Sequence, residues 1–247
     1  MLALKYLLKN PIKLLRHWAL FYLSNMMIKN FKQGLALLVF LCSNLFVVAQ
    51  NPPFYKEIQA FKLKDSISFP AKGQILLVGS SSFTKWTDAQ TYFPEHPLIN
   101  RGFGGSSLPD MIRYVNDVVI AYAPKQIIIY CGENDIAASD TVKAALVLER
   151  FKTLFGLIRT SLPKTPIWFV SIKPSPSRWK MEPVFLEANA LIKAFLKKQN
   201  RTGYIDIHQD MLLADGSVDG SLFVADNLHM NAKGYAIWQK KMAPVLK

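Results

Sequence analysis

The stretch "LLVGSSSFTKW", residues 76–86, joins a short apolar run to a glycine and three consecutive serines. The apolar residues 76–78 are typical of a strand that is buried on both faces. Gly79 favours a tight turn after this strand, and the serines that follow are residues that often cap a helix. The stretch therefore predicts a strand, a turn and a helix start, in that order.

The same alternation continues to the C-terminus. Further candidate strands are 98–100, 126–131, 166–171 and 204–207, and the first strand is placed at 75–78. Candidate amphipathic helices are 108–122, 141–161, 181–199 and 231 onward, the last with Asn231 as its expected N-cap. Strands alternating with helices favour a parallel sheet covered by helices on both sides. With no repeat or linker visible, we expect one α/β domain over residues 50–247.

The first 49 residues differ in charge from the rest. Six lysines and arginines precede residue 50 and no acid does, so the remainder carries +7, which is the net +13 less six. This moderately basic part has no lysine and arginine block and no zinc-finger spacing, so a nucleic-acid partner is not favoured. Hydrophobic residues make up 51% of the chain, which excludes a disordered protein. Cys42 falls in the N-terminal part, and Cys131 alone cannot form an internal disulfide.

An apolar segment, "GLALLVFLCSNLFVVA" (34–49), indicates a secretory signal peptide. Lys29 and Lys32 precede it, and Val47 and Ala49 stand at the minus-three and minus-one places of a cleavage site. Residues 1–25 are unusual ahead of such a segment, so either Met26 or Met27 is a candidate for the true start. We expect a secreted or periplasmic protein that meets a membrane only through this segment. The alternative is a permanent anchor, but the run is shorter than the roughly 20 apolar residues of a span.

Polar clusters follow the first three strands, and a fourth lies near the C-terminus. They are the serines 80–82, the loop "RGFGGSS" (101–107), "GEND" (132–135) and "FVADNLHMNAKGYAIW" (223–238), in which Asp226 precedes His229 by three positions. Because the carboxyl ends of parallel strands share one edge of a sheet, the first three clusters should lie close together. By themselves the serines could cap a helix and "GEND" could form an Asx turn.

Two kinds of site are not favoured by these clusters. A zinc site needs more ligands than Asp226 and His229, and His96 and His208 are isolated. The loop 101–107 lacks the third glycine of a dinucleotide-binding motif. A serine nucleophile with a histidine base and an aspartate that orients it needs only one residue of each type and no metal or organic cofactor.

In order and approximate spacing, Gly79-Ser80-Ser81, Gly105, Gly132-Glu133-Asn134-Asp135 and Asp226-Asn227-Leu228-His229 resemble the four sequence blocks of the SGNH hydrolase superfamily, the GDSL-like lipases and esterases. The resemblance spans residues 74–240. It implies a flavodoxin-like three-layer α/β/α sandwich with a five-stranded parallel sheet. Each block alone is a weak indicator of the family, and the resemblance is specific because all four blocks occur together.

The resemblance also implies a role for each matching residue. Ser81 becomes the nucleophile, His229 the base and Asp226 its orienting partner, while the oxyanion is received by the N–H groups of Ser81 and Gly105 and by the side chain of Asn134. The family's G-D-S reads Gly79-Ser80-Ser81 here, so the local support of the turn must differ. The choices of Ser81 among three serines and of Gly105 over Gly104 depend on alignment register.

Three further residues are candidates for substrate binding. Glu133 adjoins Asn134 in the third block, and Arg178 and Trp179 lie in "SIKPSPSRWKMEP" (171–183), which follows the fourth strand. A long loop at that end of a sheet can line a substrate pocket or simply cover a helix.

The resemblance implies a serine esterase or acylhydrolase that acts on a small ester. Export and the basic surface favour acylated glycans or (lyso)phospholipids as substrates. One alternative is an O-acyltransferase of the cell envelope with the same residues, and another is a non-catalytic glycan-binding protein of the same fold.

Overall fold

A computed structural model describes residues 11–44 and 51–247, and the chain divides after Asn51 into two compact units. In the first unit, helix α1 spans Pro11–Asn44 and exposes apolar side chains such as Trp18 and Phe31. Within residues 11–44 and 51–247, no helix combines the length and the apolar character that crossing a membrane requires. Val47 and Ala49 of the expected cleavage site lie outside the described residues, so the signal peptide stays a prediction.

The second unit is built on a five-stranded sheet in which all neighbouring strands pair in parallel. The strands are β1 Ile75–Gly79, β2 Leu98–Gly102, β3 Gln126–Tyr130, β4 Ile167–Val170 and β5 Thr202–Ile205, and their order across the sheet is β2-β1-β3-β4-β5. The predicted five-stranded parallel sheet is therefore confirmed.

Helices precede the first strand, connect successive strands and follow the last one. They are α2 Tyr55–Ile67, α3 Ser81–Thr84, α4 Ala89–Tyr92, α5 Leu108–Arg113, α6 Val115–Val118, α7 Glu133–Ala137, α8 Ala144–Ser161, α9 Glu182–Lys197 and α10 Ala232–Met242. Short 3₁₀ helices span Ile120–Tyr122, Pro176–Met181, Gln209–Met211, Gly220–Leu222 and Ala243–Val245. Asn231 caps α10 as predicted, since its side chain accepts the N–H groups of Lys233 and Gly234.

Alternate strand residues face two separate apolar clusters, which makes the unit three-layered. On one face Leu76 and Val78 pack with residues of α2, α5, α8 and α9. On the other face Ile75 and Leu77 pack with residues of α3, α4 and α10. Because both faces are covered, the strands are apolar throughout, as parallel strands usually are.

The prediction of one continuous helix over residues 108–122 is wrong. The structure breaks it into α5, α6 and a 3₁₀ turn, with non-helical backbone at Tyr114 and Val119. Val118, Val119 and Ile120 are β-branched and lose rotamer freedom in a helix, so this segment gains little from helical continuity. Its side chains still reach the core, because Val118 and Val119 are fully buried.

Candidate active site

Ser81 lies immediately beyond the carboxyl end of β1, as the first residue of α3. Gly79 has a φ of +135°, and a Cβ atom there would lie 2.0 Å from the carbonyl oxygen of Tyr130 in β3. Only glycine fits such a backbone. It turns the chain sharply, so that Ser80 is extended and Ser81 begins a helix with its hydroxyl directed to the sheet edge where His229 lies.

Asp226, His229 and Ser81 form a continuous hydrogen-bonded series. The Oδ2 atom of Asp226 lies 2.6 Å from Nδ1 of His229, and Nε2 of His229 lies 2.9 Å from Oγ of Ser81. The structure thus brings together three residues that span 148 positions of sequence. Such a series can pass a proton from the serine hydroxyl to the imidazole while the carboxylate orients the ring.

The loop that carries Asp226 and His229 is held by its own hydrogen bonds. Oδ1 of Asp226 accepts the backbone N–H groups of Leu228 (2.9 Å) and His229 (2.8 Å). Burial alone would raise the pKa of the Asp226 carboxyl, but these bonds and the one from the His229 ring lower it to about 2. The carboxylate therefore remains charged at neutral pH and can stabilise a protonated imidazole.

Backbone donors stand next to the serine. Among residues 11–44 and 51–247, the N–H groups of Ser81, Gly104 and Gly105 donate to no protein acceptor. Gly105 has a φ of +86°, and a Cβ atom on Gly104 would lie 3.7 Å from that of Ser81. The loop after β2 therefore passes directly beside the serine, and the choice of Gly105 over Gly104 stays a prediction.

The amide of Asn134 is bonded at both ends. Its Nδ2 donates to Oγ of Ser80 (2.8 Å) and to the carbonyl of Ser106 (3.0 Å), while its Oδ1 accepts from Nη2 of Arg178 (3.0 Å). Asn134 thus joins the turn before Ser81, the loop after β2 and the segment after β4. The hydroxyl of Ser80 fills the position of the aspartate in G-D-S and serves as an acceptor for this amide.

Glu133, a candidate for substrate binding, is 4% exposed and belongs to a buried ionic cluster. Its carboxylate lies 3.1 Å from Nζ of Lys173 and 3.2 Å from Nη1 of Arg178, and Tyr130 donates its hydroxyl to it (2.5 Å). Although burial would raise the pKa of Glu133, the charges of Lys173 and Arg178 hold it below its ordinary value. These contacts favour a supporting role for Glu133 rather than a direct substrate contact.

The other two substrate-binding candidates lie in the 3₁₀ helix Pro176–Met181. The Arg178 side chain is about four-fifths covered, with 18% exposed, whereas Trp179 is 39% exposed. The N–H group of Ser177 donates to the carbonyl of Asn227 (3.1 Å). This bond fastens the helix that carries Trp179 to the loop of Asp226 and His229.

Some site residues escaped sequence reasoning. Lys173 is 1% exposed, and burial lowers the pKa of its ammonium while Glu133 partly offsets that effect. Asp135 accepts the N–H of Leu108 (2.8 Å) and pairs with Arg150 (2.7 Å), which anchors the start of α5 beside the glycine loop. The only sequence feature that could have indicated these residues is the polar character of "GEND" and "SIKPS" at strand ends.

Within the described part of the chain, no group of three or more metal-ligating side chains occurs.

The model of the GDSL-like lipase/acylhydrolase family matches residues 65–237, which is more than half of the sequence. The chain belongs to this family. It is therefore a carboxylic ester hydrolase, and the predicted family and fold class are confirmed. No curated protein sequence matches the chain significantly.

Solved structures resemble this hydrolase over most of its length. A GDSL-like lipase from Bacteroides thetaiotaomicron has a TM-score of 0.64 and 17% identity, with 76% of this chain and 95% of that one covered. A G-D-S-L family lipolytic protein from Veillonella parvula has a TM-score of 0.58 and 20% identity, covering 70% and 97%. A mutant acetyl-xylooligosaccharide esterase from Geobacillus stearmophilus has a TM-score of 0.57 and 14% identity, covering 70% and 94%. At these identities the likeness shows the shared fold alone.

Proposed function

We propose that this hydrolase cleaves esters through an acyl-enzyme on Ser81. The hydrogen-bonded series from Asp226 through His229 to Ser81 is the observation that carries the proposal. A hydroxyl 2.9 Å from an imidazole nitrogen is within the reach that general-base catalysis needs. The Asp226 carboxylate holds the ring with Nδ1 protonated, which leaves Nε2 free to accept the serine proton.

The reaction proceeds in two halves. His229 removes the Ser81 proton as Oγ bonds to the ester carbonyl carbon, and a tetrahedral oxyanion forms. The oxyanion then collapses, the alkoxide leaves with the proton from His229, and an acyl-serine remains. Water, deprotonated by His229, attacks the acyl carbon and releases the acid and free Ser81.

The oxyanion is received by the N–H groups of Ser81 and Gly105 and by Nδ2 of Asn134. Both N–H bonds of Nδ2 are used in the resting structure, so the one that Ser80 Oγ accepts transfers to the oxyanion while the one to the Ser106 carbonyl is kept. The position of Ser81 supports this assignment, because it is the first residue of α3 and its N–H has no acceptor within that helix. An asparagine donor of this kind contributes about 3–4 kcal/mol to transition-state stabilisation in other serine hydrolases.

We propose acylated glycans as the substrate class, and among them those that carry short acyl groups. The exposed Trp179 follows Arg178 in the 3₁₀ helix whose Ser177 bonds to the His229 loop, and it offers an aromatic face on which a sugar ring can pack. The fold shared with the acetyl-xylooligosaccharide esterase supports the same class. (Lyso)phospholipids are the second candidate class. Export by the N-terminal segment belongs to the proposal, because a glycan of the cell envelope lies outside the cytoplasm.

The testing experiment exposes the full chain to a fluorophosphonate and locates the adduct by intact mass and peptide mapping. We expect one adduct on Ser81, none in Ser81→Ala, and labelling slowed by about 10²-fold or more in His229→Ala. Ser82→Ala serves as the matched control and should retain the adduct. A folded wild-type protein without an adduct contradicts the proposal, and an adduct on Ser80 or Ser82 changes the nucleophile.

A further inference from the structure

Arg178 and the carbonyl of Ser106 contact opposite ends of the Asn134 amide and together fix which end faces the serine turn. A guanidinium carries only donors, so the atom of Asn134 that it contacts at 3.0 Å must be the carbonyl oxygen. With the amide turned round, two N–H donors would face each other. The opposite end of the amide, Nδ2, therefore lies at Ser80, one residue before the proposed nucleophile.

Arg178 is itself held in place by a buried acid. Its Nη1 lies 3.2 Å from Oε1 of Glu133, which directly precedes Asn134 in α7. Lys173 contacts both oxygens of this carboxylate, at 3.1 and 3.2 Å, and Tyr130 donates to it as well. The guanidinium fork of Arg178 thus contacts two adjacent residues. Its contact with Glu133 holds Arg178 in place, and its contact with Asn134 holds the amide.

We propose that Arg178 is a positioning residue that aims Nδ2 of Asn134 at the oxyanion. The inference rests on the proposed function and deepens it, since it gives Arg178 a task other than binding the substrate. Without Arg178 only the Ser106 carbonyl would oppose a rotation of the Asn134 side chain. Such a rotation would exchange Nδ2 for Oδ1 and present the negative end of the amide dipole to a negative intermediate. Preorganised donors are effective because they need no reorientation during the reaction.

The test measures kcat and KM for p-nitrophenyl acetate with Arg178→Met, Asn134→Ala and the double variant, all in the full chain. We expect Arg178→Met to lower kcat by about 10-fold to 10²-fold, within the loss caused by removing one oxyanion donor. KM should change by less than about twofold, because the interaction acts in the transition state. The double variant should be no slower than Asn134→Ala, since Arg178 acts only through that amide.

Lys180→Met is the matched control, because Lys180 is exposed in the same 3₁₀ helix and its removal also deletes one cation. Its kcat should equal that of the wild type. Free guanidinium at low millimolar concentration should restore part of the kcat of Arg178→Met and none of that of Arg178→Met/Asn134→Ala.

Each result separates the inference from the proposed function. A wild-type protein that is inert to both the ester and the fluorophosphonate overturns both. A labelled, active wild type with an unchanged Arg178→Met, a rise in KM alone, or additive losses in the double variant overturns the positioning role only. Should Arg178→Met fail to fold, Arg178→Lys replaces it: one ammonium cannot reproduce the fork, so its kcat must fall, and a wild-type kcat in Arg178→Lys also overturns the role.

Discussion

Asp226 keeps its charge because two backbone N–H groups and the His229 ring face its oxygens, and because 48% of its side chain remains exposed to water. Replacing it by asparagine keeps the size and much of the loop but presents an amide to Nδ1. The ring can then adopt the wrong tautomer, with the proton on Nε2. We expect Asp226→Asn to lower kcat by about 10²-fold to 10⁴-fold, measured as initial rates with p-nitrophenyl acetate.

The pH dependence of stability tests whether the charge of Asp226 stabilises the fold. Its pKa is about 2, below the ordinary 3.8, so the charged form stabilises the fold above pH 3.8 and this contribution is lost as the pH falls through 2. Asp226→Asn should lower the Tm at pH 5.5, and the difference from the wild type should shrink below pH 3.8 until little of it remains at pH 2. A Tm difference as large at pH 2 as at pH 5.5 would contradict this account. High salt should shrink the difference, since the group is half exposed.

Sequence patterns indicated the proposed catalytic residues more directly than the residues that support them. The position of Ser81 after β1 could be expected from topology, whereas its pairing with Asp226 and His229 was implied by the family resemblance. The contact between Arg178 and Asn134 joins residues 44 positions apart through side-chain length and rotamer, which a pattern of residue types does not encode. The acceptor role of Ser80 likewise depends on where the Asn134 amide points.

Elements were predicted well where apolar periodicity is strong and less well at their boundaries. Strand β5 begins at Thr202, two residues before the predicted start, and runs through Gly203. A Cβ atom on Gly203 would lie 2.3 Å from the ring of Trp168 in β4, so only glycine leaves room for the indole at this position. In the sequence alone, the same glycine favours a loop. Packing between strands therefore decided a boundary that residue preferences could not.

The ion pair of Glu133 and Lys173 connects α7 with the segment after β4, and both side chains are at least 95% covered. Without Glu133, Lys173 keeps no ion-pair partner among the described residues, whereas Glu133 without Lys173 still contacts Arg178. We expect Glu133→Gln to lower the free energy of unfolding by about 3–5 kcal/mol and Lys173→Met to lower it less, measured by urea denaturation at pH 7.

The double variant Glu133→Gln/Lys173→Met is the control for this pair. It removes the unpaired buried cation, so it should be more stable than Glu133→Gln alone. Losses that simply add would mean that the two charges do not interact. Equal urea m-values across the three variants are needed for the comparison, because a changed slope indicates a different unfolded or native state.

The division after Asn51 separates the N-terminal helix from all of the proposed catalytic residues. Both apolar clusters and every site contact described above lie within Pro52–Lys247. Composition also indicates a boundary near residue 50, because the charge and hydropathy of the first 49 residues differ from those of the rest, and the assignment of domains stays a prediction. What the N-terminal segment does for the protein stays a prediction, since sequence pattern alone supports export.

A chain that begins at Pro52 should therefore fold and act as the 247-residue chain does. We expect its Tm to match that of the 247-residue chain and its kcat/KM to agree within about twofold, because no core or site residue is removed. The contrasting deletion begins at Phe69 and removes α2, together with buried Ile58 and the ion pair of Asp65 with the buried Arg101. That chain should lose cooperative unfolding or aggregate. If the chain from Pro52 were inactive although folded, residues 1–51 would have to contribute to the site itself.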